Sequence, residues 1–207
     1  LVHLDEPQLT GPKRAIKRSM DIVGAGVALI LLTPVLIVLT LLVRCTSRGP
    51  VIFTQTRIGQ HGEPFRLFKF RTMVADAQEH QAEVWSMSDE ANKAKADPRV
   101  TRVGRPMRRW SLDELPQFVN VLNGSMSIVG PRPIQAVEAD TLQAWQGRRH
   151  LTKPGLTGLW QISGRADTSW DDRMRLDLEY VENWSPSLDL IIALKTIRVV
   201  LSGDGAY

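Results

Sequence analysis

Between Ile22 and Val43 the chain carries no charge over the run IVGAGVALILLTPVLIVLTLLV. As a straight helix this stretch would reach about 33 Å, roughly the thickness of a bilayer's hydrocarbon core. A buried helix of a soluble core is the alternative, but the length and the lack of charge favour a membrane segment. Asp21 precedes the run and no small-residue cleavage site follows it, which argues against a removable signal peptide. Basic residues stand on both sides, Lys13, Arg14, Lys17 and Arg18 before it and Arg44 and Arg48 after it. Cations collect on the cytoplasmic side of a membrane segment, so both ends read as cytoplasmic. Pro34 in the middle removes the hydrogen bond to the Ile30 carbonyl and kinks or breaks a helix, while Thr33 can offer its hydroxyl to a nearby carbonyl. Two halves of about 11 residues would each reach roughly 16 Å, half the hydrocarbon thickness. A re-entrant helix that breaks at Thr33–Pro34 and returns to its starting face is therefore expected, with a proline-kinked spanning helix as the alternative.

Composition narrows the partners. The 26 lysines and arginines against 22 acids give a net charge of +4 and a pI near 9.5, which suits anionic partners. Phosphorylated substrates, acidic headgroups and nucleic acid all qualify on charge alone. The single cysteine, Cys45, rules out an intrachain disulfide. His3, His61, His80 and His150 lack metal-ligand spacing. No internal repeat, P-loop or GxGxxG is present. The sequence begins at Leu1, so a trimmed start is expected.

The soluble part reads as α+β. PVIFTQTRI, from Pro50, and FRLFKFRTM, from Phe65, alternate like two strands joined by the turn GQHGEP. In the second, Lys69 and Arg71 share a face and could line an anion site, although a solvated face is as ordinary. Val74 to Ala96 has a helical but increasingly polar pattern. Five arginines in RVTRVGRPMRRW then lead to SLDELPQ, with Asp113 and Glu114 side by side. Ser111 and Glu114 have the spacing of a capping box, which places both acids at the mouth of a short helix ending at Asn123-Gly124. A helix mouth would keep Asp113 ionised and attract phosphate. Capping and chemistry are both open from this motif alone. In GPRP, flanking prolines hold Arg132 extended, a presentation suited to a phosphate, while a plain surface turn is the simpler reading. KPGLTGLWQISGR, from Lys153, reads as a loop packed near a ligand or the core. Two amphipathic stretches close the chain, with Trp184, Lys195 and Arg198 suited either to core helices or to a membrane surface.

Six segments in this order resemble the bacterial sugar transferase family, the monotopic polyprenyl-phosphate sugar-1-phosphate transferases, also called phosphoglycosyl transferases. They are KRSMD, FKFRTM, DPRVTRVGRPMRRWSLDELPQ, NVLNGSMSIVGPRP, KPGLTGLWQISGR and GDGAY. The resemblance runs from about Lys13 to Tyr207. It implies a membrane helix broken at a Ser-Pro-like pair, here Thr33–Pro34, with Lys17, Arg18 and Asp21 as interface anchors. It implies Asp113 as nucleophile and Glu114 as the holder of Mg²⁺, with Lys69, Arg71, Arg108, Arg132, Gln161 and Arg165 at the substrate phosphates. The implied partners are a UDP-sugar, undecaprenyl or another polyprenyl phosphate and a phospholipid membrane, with no nucleic acid and with room for a homo-oligomer. The implied reaction is the first membrane step of exopolysaccharide or O-antigen synthesis at the cytoplasmic face of the bacterial inner membrane. The GDGAY ending is closer to members that use UDP-hexoses such as galactose or glucose than to those using acetylated amino sugars.

The expected organisation is an N-terminal extension over 1–14, a re-entrant membrane region over 15–48 and a catalytic domain over 49–207. Two rival readings are weaker. Glycoside hydrolysis needs carboxylates about 5 to 9.5 Å apart across a sugar, which neighbours in one turn rarely reach. A non-catalytic membrane-surface scaffold explains the charge and the anchor but not SLDELPQ together with GPRP.

Overall fold

The computed structural model describes residues 9–74, 77, 97, 99–163 and 169–202. The expected helix over Val74–Ala96, Arg165 and the GDGAY tail lie largely or wholly outside them. The architecture is α+β, as the sequence indicated, with helices dominant and two small two-stranded sheets.

Helix α1 runs from Gly11 to Thr46, with Pro12 in its first turn. It therefore begins inside the segment expected to be an extension, and it does not end at Thr33–Pro34. The proline deletes one donor, but the chain stays helical through it. Thr33 Oγ1 donates to the Leu29 carbonyl at 2.7 Å, one residue before the carbonyl that Pro34 leaves without its usual partner. Val27, Ile30, Leu31, Val35, Ile37 and Val38 along the middle are exposed. The ends are not. Ala25 packs with Leu67, Val121 and Met126, while Leu39 and Val43 pack with Phe70 and Met107. Both ends of the apolar stretch thus rest on the same folded body, and each touches the strand that carries Leu67 and Phe70.

That strand is β2, Pro64–Phe70, paired antiparallel with β1, Ile52–Ile58, in a register from Ile52 opposite Phe70 to Ile58 opposite Pro64. Helix α2 is Gly104–Arg109, and a 3₁₀ turn over Leu112–Glu114 leads into α3, Gln117–Asn123. Asn120 fixes α3 to the open edge of β2. Its side chain accepts from the Phe68 amide at 3.0 Å and donates to the Arg66 carbonyl at 2.7 Å. The segment KPGLTG, expected to be a loop, and NGSMSIVG, for which the sequence offered no element, contribute a second sheet. Here β3, Ser127–Val129, lies parallel to β4, Gly155–Thr157. Among the described residues the further α-helices are α4 (Ala136–Asp140), α5 (Leu159–Ile162), α6 (Trp170–Glu182) and α7 (Pro186–Ser202), the last two falling on the amphipathic stretches. Tyr180, Val181, Trp184 and Ile192 close a core over Val129. Beyond Ile192, α7 exposes Leu194, Ile197 and Leu201.

The anchors expected at the lipid interface are instead built into this core. Lys17 Nζ reaches Asp189 Oδ2 on α7 at 2.7 Å and Asp21 Oδ1 at 3.4 Å. Asp21 also accepts from Ser127 Oγ and the Ile128 amide, and Asp189 accepts from the Tyr180 hydroxyl. All three charged groups are buried. Breaking such a buried pair costs about 3–5 kcal/mol, because a bare charge is left without water. Arg18 turns the other way and donates to the Val121 and Leu122 carbonyls, where it caps the C-terminal end of α3.

Candidate active site

The two acids lie in the 3₁₀ turn rather than in the first turn of α3. Ser111 adopts a left-handed conformation, φ 53° and ψ 24°, and its hydroxyl makes no capping bond, so the capping box is absent. Such a conformation is uncommon for a residue with a side chain and clusters at functional turns. Its effect is to reverse the chain after α2 and present Leu112, Asp113 and Glu114 at three residues per turn. Successive side chains there diverge by about 120°. Adjacent in sequence, the carboxylates therefore point apart. Asp113 turns inward, with 9% of its surface exposed, and Glu114 turns toward β2. Glu114 Oε1 accepts from Lys69 Nζ at 2.7 Å, and no described residue bonds its Oε2.

Burial drives the Asp113 carboxyl up to about 6, Glu114 pushes it the same way, and Lys69 and Arg108 pull against both. A helix mouth was expected to keep this group ionised; the acids lie outside one, and desolvation is the largest influence on Asp113 instead. At pH 7 about nine carboxyls in ten are still ionised. Arg108 sits across the site with its Nε on Thr72 Oγ1 at 2.9 Å. Its charge reaches Asp113, and its own pKa is lowered chiefly by burial.

Arg132 is presented by a loop whose backbone is held at four consecutive carbonyls. Pro131 accepts from the Gly155 amide, Arg132 from Arg149 Nη2, Pro133 from Arg57 Nη1 and Ile134 from the Ile58 amide. Arg149 is in turn locked to Asp177 at 2.5 Å, with both side chains 1% exposed. A Cβ on Gly155 would stand 2.1 Å from the Gly130 nitrogen, so only glycine lets the β4 strand approach the loop this closely. The Arg132 guanidinium lies 5.6 Å from the Trp160 ring centroid, within cation–π range. Gln161 belongs to α5, which begins where the β4 segment turns away from the Arg132 loop.

Arg57 joins the two halves. Its Nη1 is 3.5 Å from Glu138 Oε2, its Nη2 donates to Gln55 Oε1, and burial lowers its pKa while Arg132, Glu138 and Glu114 all act on it. The acid pair and the Arg132 loop thus share one electrostatic neighbourhood with Lys69 and Arg108. Strand alternation alone does not say which face of β1 is covered, so neither Arg57 nor the Arg149–Asp177 pair was visible in the sequence. Arg71 leaves the set. Strand β2 ends at Phe70, and beyond it Arg71 Nη2 donates to Ser47 O and Ser47 Oγ, both at 2.8 Å, at the C-terminal end of α1. It is a helix cap.

Among the described residues no three or more His, Cys, Asp or Glu side chains converge as a metal cluster. Mg²⁺ does not require one, because it is commonly held by one or two carboxylates together with substrate phosphates and water. Glu114 Oε2 and Asp113 fit that need as hard oxygen donors.

The family described as Bacterial sugar transferase matches residues 12–203. The exopolysaccharide production protein ExoY of Rhizobium meliloti is 42% identical, over 97% of this chain and 94% of that protein. The undecaprenyl-phosphate galactose phosphotransferase of Salmonella typhimurium is 44% identical over 94% of this chain, and the UDP-glucose:undecaprenyl-phosphate glucose-1-phosphate transferase of Escherichia coli is 43% identical over all of it. The chain spans only 42% and 45% of the length of those two relatives. It belongs to the bacterial sugar transferase family.

Keeping Asp113 charged in this setting works against folding. Its folded pKa lies about two units above the unfolded value of 3.8, so the unfolded state ionises first as pH rises. The penalty is absent below pH 3.8, grows through pH 6 and reaches about 3 kcal/mol above it. Asp113→Asn is therefore expected to raise the melting temperature at pH 8 and to change it little at pH 4. Equal or lower stability of the variant at pH 8 would contradict this electrostatic description.

Proposed function

We propose that the protein transfers a hexose 1-phosphate from a UDP-sugar to undecaprenyl phosphate, with Asp113 as nucleophile. One observation carries the reading: the buried Asp113 carboxyl lies within electrostatic reach of both Lys69 and Arg108, beside a half-exposed Glu114. Desolvation makes a carboxylate more nucleophilic, and the flanking cations suit a diphosphate. An Asp113 oxygen attacks the phosphorus bonded to the sugar. The new O–P bond forms as the bond to the bridging oxygen breaks, and UMP leaves with that electron pair. A phosphate oxygen of undecaprenyl phosphate then attacks the same phosphorus and the Asp113 carboxylate departs, giving the diphosphate-linked sugar. Neither step needs a proton. Mg²⁺ held by Glu114 would offset the charge of the diphosphate. Lys69, Arg108 and Arg132 bind and orient the phosphates.

Two relatives carry names that specify undecaprenyl phosphate and galactose or glucose, which supports the acceptor and a hexose donor here. Assay of UMP release across UDP-galactose, UDP-glucose and their N-acetylated counterparts tests the donor. Release should fall about tenfold per unit below pH 6 as Asp113 protonates. Arg132→Lys should cost at least about tenfold, because a lysine cannot form the two-pronged contact. Failure to release UMP from any of these donors would reject the reading.

The membrane attachment proposed is monotopic, with both ends of α1 on the cytoplasmic side. A helix spanning the bilayer would carry one end about 30 Å from a domain on the other side, yet Ala25 and Val43 both pack on that domain. The exposed apolar faces of α1 and α7 then share the lipid. In a Cys45→Ser background, single cysteines at Lys13 and at Arg48 should be modified from the same side of sealed vesicles. Modification from opposite sides would overturn the topology.

A further inference from the structure

The end of α1 that leaves the domain for the apolar stretch is surrounded by cations the catalytic reading does not use. Gly124, at φ 88°, ends α3, and a Cβ built on it would lie 3.3 Å from Lys153 Nζ and 3.6 Å from Arg18 Nη2. The two cationic heads are thus within about 7 Å of each other, the sum of those distances. Arg14 acts on Lys153 as well, and burial together with the two arginines lowers the lysine pKa, against a smaller opposing pull from Asp21. Asp21 Oδ1 is engaged by Lys17, Ser127 and the Ile128 amide, and its charge offsets only part of this excess. Arg18 gives one N–H from each terminal nitrogen to a carbonyl, which leaves its charge uncompensated and donors to spare. Lys153 is half-buried and has neither a hydrogen-bond acceptor nor an ion-pair partner among the described residues.

Such a group carries excess positive charge. Arg14 and Arg18 are one turn apart on α1 and about 6 to 12 Å along the helix from Ile22, the first residue of the apolar run, which puts them at its edge. Val119 and Leu122, on α3 beside them, are exposed and apolar. We propose that Arg14, Arg18 and Lys153 bind the phosphate of an acidic phospholipid of the surrounding bilayer, at a site separate from Asp113. This rests on α1 lying in lipid, as proposed above. An uncompensated cation at the surface attracts acidic lipid, and each such charge strengthens binding by roughly fivefold.

The full chain in nanodiscs containing phosphatidylcholine and phosphatidylglycerol, analysed by native mass spectrometry after release, tests the site. The wild type should retain phosphatidylglycerol in preference to phosphatidylcholine. Lys153→Gln should reduce that retention at least about fivefold, Lys153→Arg should restore it, and Arg198→Gln on the exposed side of α7 should leave it unchanged. Equal retention by the wild type and Lys153→Gln would overturn the proposal. So would displacement of the lipid by millimolar inorganic phosphate, which marks a general anion site, or preferential retention of added undecaprenyl phosphate, which marks an acceptor site. A chain that does not enter nanodiscs at all would contradict the membrane reading instead, so the two failures are distinguishable.

Discussion

One buried lysine connects the apolar helix to everything else. Lys17 lies between Asp21 on its own helix and Asp189 on α7, and those carboxylates hold β3 and Tyr180 in turn. Burying three charges stabilises little by itself, since the cost of removing water nearly matches the attraction. Its value is in specificity: no other register of α1 against β3 and α7 pairs all of them. With that register set, Ala25 meets β2 through Leu67, and Leu39 and Val43 meet it through Phe70. The strand that receives both ends of the helix is the strand that carries Lys69. The attachment to lipid and the position of the acid pair thus share one support.

The active centre places function against stability. The turn at Ser111 sends Asp113 inward and Glu114 toward Lys69, and burial raises the carboxyl that the flanking cations keep charged. A more exposed aspartate would fold at less cost but, in the role proposed for Asp113, would be surrounded by water and weaker as a nucleophile. At the Arg132 loop, rigidity comes from the backbone. Four carbonyls of the Arg132 loop are bonded from β1, β4 and the buried Arg149, so the backbone that presents Arg132 is fixed in advance of the phosphate contact proposed for it.

Much of this was legible in the sequence where the information is local. The apolar run, the two alternating strands, the paired acids and the proline-flanked arginine each carry their meaning within a few residues. What the sequence did not reveal depends on distant partners. Lys17 lies next to an apolar run and so resembles an interface anchor, but its partner Asp189 is 172 positions away. Arg71 alternates with Lys69, yet it lies past the end of β2 and caps α1 instead. The parallel pairing of β3 with β4 joins two glycine-containing stretches, one of which read as a loop, because three-residue strands leave no periodic pattern. Pro34 was expected to end a helix, and flanking turns that remain hydrogen-bonded carry the helix through it.

The central claim is that Asp113 itself carries the phospho-sugar. Incubation of the protein with its UDP-sugar and Mg²⁺ in the absence of any polyprenyl phosphate, followed by acid quench and peptide mass spectrometry, examines this directly. The account predicts a hexose-phosphate adduct on the peptide containing Asp113, formed in step with UMP and lost when undecaprenyl phosphate is added. An unmodified Asp113 peptide, under conditions where lipid-linked product forms readily, would establish direct transfer between the two substrates and contradict it.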